Sequence, residues 1–260
     1  MNPELISSFK ELPSNKKIYF ASDFHLGAPN EQESLEREKK IVKWLQQISK
    51  DAAAIFLVGD LFDFWFEYKS TVPKGHVRFL GALAELKDLN IPIIIFAGNH
   101  DLWMSDYFPQ ELNIPVYHKP TSIEVNDIKL FIGHGDGLGP GDRRFKFIKR
   151  IFTNPIFRLM FQWLHPNLGV GVAKFWSSKS RDFSDQKDQP FNLDSERLYQ
   201  FCKKTEELDH HDIYIFGHRH LPLQLKISDN SVYYNLGEWI NHCTYLEFDG
   251  NEASLKSFNP

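Results

Sequence analysis

The sequence predicts an α/β fold with a mixed sheet, organised as a single domain over residues 1–260 with an insertion around residues 140–190. Three observations carry this reading. Short apolar runs alternate with stretches of helical periodicity through the first half, the pattern of βαβ units. The final third holds mostly strand-like runs, which makes the sheet mixed. No Ser/Gly-rich linker, repeat or low-complexity tract divides the chain.

The elements follow in order. Residues 17–22 (KIYFAS) form a short apolar run ending at Asp23 and read as a strand. Over residues 31–49, Leu35, Ile41, Val42, Leu45 and Ile48 fall near helical spacing, which predicts an amphipathic helix. Residues 54–59 (AIFLVG) make a second strand, apolar throughout and so buried on both faces. A helix over 76–89 places Leu80, Leu83 and Leu86 on one side, and residues 93–98 form a third strand. Val116, 123–125 and 129–133 suggest further strands. Residues 194–208 read as a helix with Asp194 or Ser195 as N-cap. Strands at 213–217, 223–227, 232–235 and 244–248 complete the chain.

Composition excludes several classes. Of 260 residues, 42% are hydrophobic and the net charge is −4, which excludes intrinsic disorder. Cys202 and Cys243 make neither a disulfide framework nor a C-x-x-C site, so a reduced intracellular chain is expected. Residues 1–17 lack the apolar core of a secretory signal. Runs such as Ala52–Val58 fall far short of the ~20 residues that span a bilayer. The mild net charge hides a division. Residues 143–181 carry nine Lys or Arg, eight aromatics and no acid, leaving 21 bases against 34 acids elsewhere.

The chemistry lies where apolar strands stop. Asp23-Phe24-His25, Gly59-Asp60, Gly98-Asn99-His100-Asp101, Gly133-His134-Gly135-Asp136 and Gly217-His218-Arg219-His220 each follow a predicted strand. The first four key residues are separated by 37, 39 and 35 positions, about one βαβ unit each, and the fifth by 84, which leaves room for the insertion. Carboxyl ends of strands form the ligand crevice of an open α/β sheet. Asp, His and Asn without thiolates suit Mn²⁺, Fe or Zn²⁺. Two such ions ~3.5–4 Å apart serve in-line displacement at phosphorus. Singly, each cluster reads as a turn, a cap or a surface loop; their conjunction, in order and at regular spacing, points to one site.

Taken together, D-x-H, G-D, G-N-H-D, G-H and G-H-x-H resemble the signature of the calcineurin-like metallophosphoesterases, over roughly residues 17–248. The resemblance implies a four-layer αββα sandwich. It implies one divalent ion on Asp23, His25 and His220 and a second on Asn99, His134 and His218, with Asp60 bridging; Mn²⁺ is the family expectation. It places His100 beside the pair as a catalytic residue, oriented by Asp101. Residues 59–65 (GDLFDFW) and 134–142 (HGDGLGPGD) are similar to the UDP-2,3-diacylglucosamine pyrophosphatases of lipid A biosynthesis. That narrower resemblance implies hydrolysis to UMP and 2,3-diacylglucosamine 1-phosphate, with 140–190 as a helical cap for the acyl chains. By motif position, Asp142 would contact the sugar, and Ser178, Lys179 and Arg181 the phosphate or uridine. His100 stands where many members of that family carry Arg.

The basic aromatic segment suits this reading, since rings suit acyl chains and cations suit phosphates and anionic headgroups. The bland alternative is a helical hairpin burying its rings in its own core. A nucleic-acid partner is disfavoured by the acidic remainder, and no protein partner is identifiable. The expected location is cytoplasmic, peripheral on the inner face of a Gram-negative inner membrane. Two competing functions stay open: another dinuclear phosphodiesterase or phosphatase acting on a nucleotide or phosphoprotein, and a non-catalytic scaffold. Against the scaffold stand seven filled ligand positions.

Overall fold

The computed structural model describes residues 10–141, 143–169, 171, 193 and 196–259. In chain order it contains β1 (Lys17–Ala21), α1 (Glu31–Ile48), β2 (Ala52–Val58), α2 (Val77–Asp88), β3 (Ile93–Phe96), α3 (Tyr107–Leu112) and β4 (Val116–Tyr117). Then come β5 (Thr121–Val125), β6 (Ile128–Gly133), α4 (Arg143–Phe152), α5 (Pro155–Gln162), α6 (Arg197–Glu206), β7 (Ile213–Phe216), β8 (Pro222–Lys226), β9 (Val232–Leu236), β10 (Thr244–Phe248) and β11 (Ala253–Ser257). Two mixed sheets result, ordered β11-β10-β1-β2-β3-β4 and β5-β6-β7-β9-β8.

Strand periodicity explains the layering. Successive side chains point to opposite faces of a sheet. In β1 and β2, Ile18, Phe20, Ala54, Phe56 and Val58 meet Ile123, Leu130, Ile132 and Ile215 of the other sheet. The alternate residues Tyr19, Ala21, Ile55 and Leu57 pack beneath α1 and α2, against Ile41, Trp44, Leu45, Phe79 and Leu83. On the far face of the second sheet, Tyr214, Phe216 and Tyr233 pack on Leu198, Tyr199 and Cys202 of α6. Strands that look uniformly apolar in sequence are therefore buried between helices and a second sheet, and the architecture is the four-layer αββα sandwich.

Helix ends depend on groups remote in sequence. Asn30 caps α1, its side chain accepting from the Glu33 amide at 3.0 Å. The starts of α2 and α3 have no side-chain cap of their own. Buried Glu38 of α1 accepts instead from the Arg78 and Phe79 amides (2.8 and 3.0 Å). Buried Glu67 accepts from the amides of Ser105, Asp106 and Tyr107 (2.9, 2.8 and 3.2 Å). A carboxylate on free N–H groups at a helix start also complements the helix dipole.

The structure departs from the sequence expectations at a few points. β3 stops at Phe96, two residues early. α6 begins at Arg197 with Glu196 in the cap position, and the expected caps Asp194 and Ser195 lie outside the described residues. α3 was not expected because six residues are too short to show periodicity. β11 was not expected because its alternation is too short to stand out, with only Ala253 and Leu255 turned to the core of an edge strand. Within the described part of 140–190, α4 and α5 form a helical pair. Its rings do not all turn inward on each other. Phe152, Phe157 and Phe161 pack on Phe64, Phe66, Tyr68 and Trp103 of the body, and Trp103 Nε1 donates to the Phe152 carbonyl at 2.7 Å.

Glu206 at the end of α6 ties that helix to the second sheet. It accepts from Tyr214 Oη (2.8 Å), Ser228 Oγ (3.1 Å) and the His211 amide (3.2 Å), and pairs with His210 at 2.8 Å. Burial alone would raise its carboxyl, but these donors outweigh it and hold the group down at about 2. A carboxyl depressed on folding stabilises above its unfolded value and loses that contribution as pH falls toward the folded one. Glu206→Gln is therefore expected to cost about 1–3 kcal/mol at pH 7, with the difference closing between about pH 5 and pH 2 in urea titrations.

Candidate metal centre

All five polar clusters meet at one edge of the sandwich. β1, β2 and β3 run parallel in one sheet, and β6 and β7 run parallel in the other. The loops beyond β1 and β2 are laced together, the Asp23 and His25 amides donating to the Gly59 and Asp60 carbonyls, both at 3.0 Å. Hydrogen bonds here cross between the sheets. The His218 amide donates to Asp23 Oδ2 (3.0 Å), and His134 Nδ1 donates to the Val58 carbonyl (2.8 Å). That second bond places the His134 proton on Nδ1 and leaves the Nε2 lone pair facing the site, as for a metal-ligating imidazole.

The backbone here is held in costly conformations. Asp23, His25, Asp60, His218 and His220 have φ of 56°, 44°, 51°, 66° and 57°. Left-handed non-glycine residues cost on the order of 1–3 kcal/mol each and persist where their surroundings over-determine them. The glycines serve approach more than turning. A Cβ on Gly59 would strike the His134 ring, on Gly98 the Asp60 carboxylate and amide, and on Gly217 the Asp23 carboxylate and Ser22. Gly133 differs, since its Cβ would meet Pro120.

The side chains converge around Asp60. Ligand atoms of Asp23, His25, Asp60 and His220 lie within 4.8 Å of one another, and so do those of Asp60, His134 and His218. A third such group joins His25, Asp63 and His100. Asp60 Oδ2 is 3.2 Å from His134 Nε2 and 4.0 Å from His25 Nε2. His220 Nε2 lies 3.1 Å from Asp23 Oδ1 and 3.1 Å from His25 Nε2. Asp23 Oδ1, Asn99 Oδ1 and His134 Nε2 are buried with no hydrogen-bond partner. Buried polar atoms are normally satisfied, and divalent cations held in the two groups would satisfy these three. The residues present fit such an ion.

Electrostatics favour the ligating form at Asp23, Asp60, His25 and His218. Burial opposes ionisation of Asp23 and Asp60, yet the surrounding imidazoles hold both carboxylates well below their usual range: His220 and His25 at Asp23, and His134 first at Asp60. Burial pushes His25 down to about 4, reinforced by His220 and His100; burial pushes His218 down to about 4, reinforced by His134. Ionised carboxylates and neutral imidazoles are the forms that ligate metals. His134 and His220 shift the other way: against their burial, the Asp60 carboxylate pushes His134 up and the Asp23 carboxylate pushes His220 up, so a cation at these positions would have to displace their protons.

His100 and Asp101 sit in different roles from each other. The His100 ring stands 4.9 Å from the His25 ring, edge to face. Its Nδ1 donates to the Asp63 carbonyl at 3.0 Å and lies 3.8 Å from Asp63 Oδ1. The contact expected from Asp101 thus comes from Asp63. The Asp101 carboxylate instead accepts from the amides of Gly98 (2.6 Å), Leu61 (2.7 Å), Asp60 (3.3 Å) and Phe62 (3.5 Å). Burial and the nearby Asp60 carboxylate push it up to about 7 against those amides. Asp142, Ser178, Lys179 and Arg181 lie outside the described residues.

Sequence reasoning missed several supporting groups. Arg37 of α1 is buried and donates to carbonyls beside His25. The available signal was a charged pair, Arg37-Glu38, on the apolar face of an amphipathic helix. Arg219, inside G-H-x-H, donates to buried Glu196 at 3.0 Å. Lys149 pairs with Asp136 at 2.5 Å, tying α4 to the loop after β6.

An αββα sandwich whose strand ends gather two acid–imidazole groups around one shared carboxylate defines a phosphoesterase of the metal-dependent class. The chain belongs to the calcineurin-like phosphoesterase family, which matches residues 16–222. Among its relatives, a UDP-2,3-diacylglucosamine hydrolase from Porphyromonas gingivalis is 37% identical over 254 residues, 93% of this chain and 97% of the relative. The enzyme of the same name from Proteus mirabilis is 24% identical over 249 residues, 92% of this chain and 98% of the relative. That from Yersinia pestis is 25% identical over 183 residues, 69% of this chain and 73% of the relative.

The packing at Gly98 makes a test. Gly98→Ala drives a methyl into the Asp60 carboxylate and amide. Overpacking of this kind costs about 1–3 kcal/mol. The expected result is a folded protein that retains markedly less divalent metal after dialysis, measured by elemental analysis.

Proposed function

We propose that this chain hydrolyses the pyrophosphate bond of UDP-2,3-diacylglucosamine, releasing UMP and 2,3-diacylglucosamine 1-phosphate for lipid A biosynthesis. The observation that carries the reading is the 37% identity across 93% of the chain to a hydrolase of that substrate, joined to the two ligand groups sharing Asp60. Asp23, His25 and His220 would hold one divalent ion and Asn99, His134 and His218 a second, with Asp60 between them; Mn²⁺ is the expected metal. When bound, the ions supply positive charge at the phosphoryl oxygens and activate water for in-line attack.

The chain's own residues set the geometry around the phosphorus. His100 commits Nδ1 to the Asp63 carbonyl, which fixes its ring beside the His25 ring, and a protonated ring would donate to the leaving oxygen. A sugar 1-phosphate is a weakly basic leaving group and needs little proton donation. Loop 98–101 and the loop after Asp60 are fixed by the Asp101 carboxylate, which keeps the His100 backbone in register with Asp60. The His100 amide also donates to Asp60 Oδ1 at 2.8 Å.

Residues 140–190 would act as the cap over the lipid. Support comes from the exposed apolar surface of its described part, where Phe147 (65%), Ile156 (68%), Met160 (66%) and Trp163 (85%) face outward. Such rings and chains among Lys146, Arg150 and Arg158 suit acyl chains and an anionic membrane surface. Among the described residues no helix is long and apolar enough to cross a membrane, so the attachment proposed is peripheral, on the cytoplasmic face. The cap expectation for Asp142, Ser178, Lys179 and Arg181 stands as part of this proposal.

The direct test is Mn²⁺-dependent release of UMP from UDP-2,3-diacylglucosamine. Equal turnover of acyl-free nucleotide diesters would favour a different phosphodiesterase. Asp60→Ala is expected to abolish nearly all turnover and to empty both ion positions in elemental analysis; a metal-free but active variant would end the two-ion reading. His100→Ala should lose less activity on the pyrophosphate than on an unactivated alkyl diester, and equal losses on the two would remove the proton-donor role. Membrane fractionation should release the protein as salt rises, because exposed charge attraction is screened.

A further inference from the structure

We propose that Arg37 is the positioning residue of the first ligand set: its guanidinium fixes the loop after β1 so that the Asp23 and His25 side chains converge with Asp60 and His220. This rests on reading the centre as a metal site. Arg37 lies on the buried face of α1, 6% exposed. Its Nε donates to the Phe24 carbonyl at 2.7 Å, and Nη2 donates to the His25 carbonyl at 2.7 Å and to the Ala28 carbonyl. One turn earlier, Ser34 Oγ accepts from the Gly27 amide at 2.7 Å. The same face of one helix therefore grips residues 24, 25, 27 and 28.

The opposite side of this loop is already held by its neighbour. The His25 and Leu26 amides donate to the Asp60 and Leu61 carbonyls, both at 3.0 Å, and the Asp63 amide donates back to the Leu26 carbonyl at 2.9 Å. The His25 carbonyl also accepts from the Ala28 amide at 3.1 Å, while the Phe24 carbonyl takes Arg37 Nε, and a buried acceptor left unpaired is costly. Arg37 ties the Phe24, His25 and Ala28 carbonyls together from a single planar fork. A lysine offers one nitrogen on a flexible stem and cannot span three carbonyls in that geometry. Because Asp23 and His25 occupy left-handed backbone, a loop released on its carbonyl side has a cheaper conformation to relax into. Relaxation would swing both ligands out of line.

The experiment compares the wild-type chain with Arg37→Lys and Arg37→Met. Each is stripped with EDTA, then titrated with Mn²⁺ by calorimetry, with bound metal counted after dialysis. Thermal midpoints of the metal-free forms and Mn²⁺ activation curves are recorded alongside. Loss of a group that orients metal ligands typically costs 10–100-fold in affinity. The expected result is that fall, of about 10–100-fold, at one of two Mn²⁺ sites in Arg37→Met, and a smaller fall in Arg37→Lys. The Mn²⁺ concentration for half-maximal activity should rise with it. A lowered metal-free midpoint with unaltered Mn²⁺ affinity and activation would make Arg37 merely structural and overturn the proposal. If Arg37→Met does not fold, the same comparison on Arg37→Lys decides. A wild-type chain that binds no Mn²⁺ would instead overturn the metal reading itself.

Discussion

The hydrogen bond from the His218 amide to the Asp23 carboxylate joins two sheets at the edge where their parallel strands end. Apolar packing between Phe20, Phe56, Ile132 and Ile215 brings the sheets face to face. Such packing is non-directional and sets no register at the ångström scale. The polar bonds do that. With His134 Nδ1 on the Val58 carbonyl, they align the end of β1 with that of β7 and the end of β6 with that of β2. Both bonds are made by residues of the candidate site. The groups that would bind an ion are thus the groups that set the spacing between the two halves of the binding crevice.

The motif around Asp60 shows how the same few residues serve both the core and the α4–α5 pair. After Asp60 the side chains divide between two sides. Phe62 and Trp65 stack on each other at 4.4 Å and enter the core beneath the helices with Phe108. Phe64 and Phe66 enter the cluster that receives Phe152, Phe157 and Phe161 from α4 and α5. Trp103 completes that cluster two residues beyond Asp101. The helical pair therefore rests on the two loops that present Asp60 and Asn99–Asp101. Lys149 on Asp136, and Lys146 on the Gly139 carbonyl at 2.7 Å, add a third footing on the loop after β6.

Much of this was legible because it depends on strong local signals. Uniformly apolar runs ending in polar residues marked β1, β2, β3, β6 and β7 and, with them, every proposed ligand. What escaped is what depends on long-range pairing. That Glu38 and Glu67 cap helices 40 positions away follows from tertiary proximity, which no window of sequence contains. The glycines before Asp60, Asn99 and His218 clear space for His134, Asp60 and Asp23 from neighbouring strands, a pairing no local window contains. Asp101 was assigned to His100 by analogy, and only the placement of four amides shows where its carboxylate is used.

That use of Asp101 bears on how the centre is assembled. One buried carboxylate gathers the amides at the bends after β2 and β3, so those bends are drawn together by the chain's own chemistry and not by an incoming ion. In small zinc modules the metal supplies the folding energy, and the apo-protein is unfolded. Here the two bends are tied by hydrogen bonds of the polypeptide itself, so their spacing does not call on a bound ion for its stability.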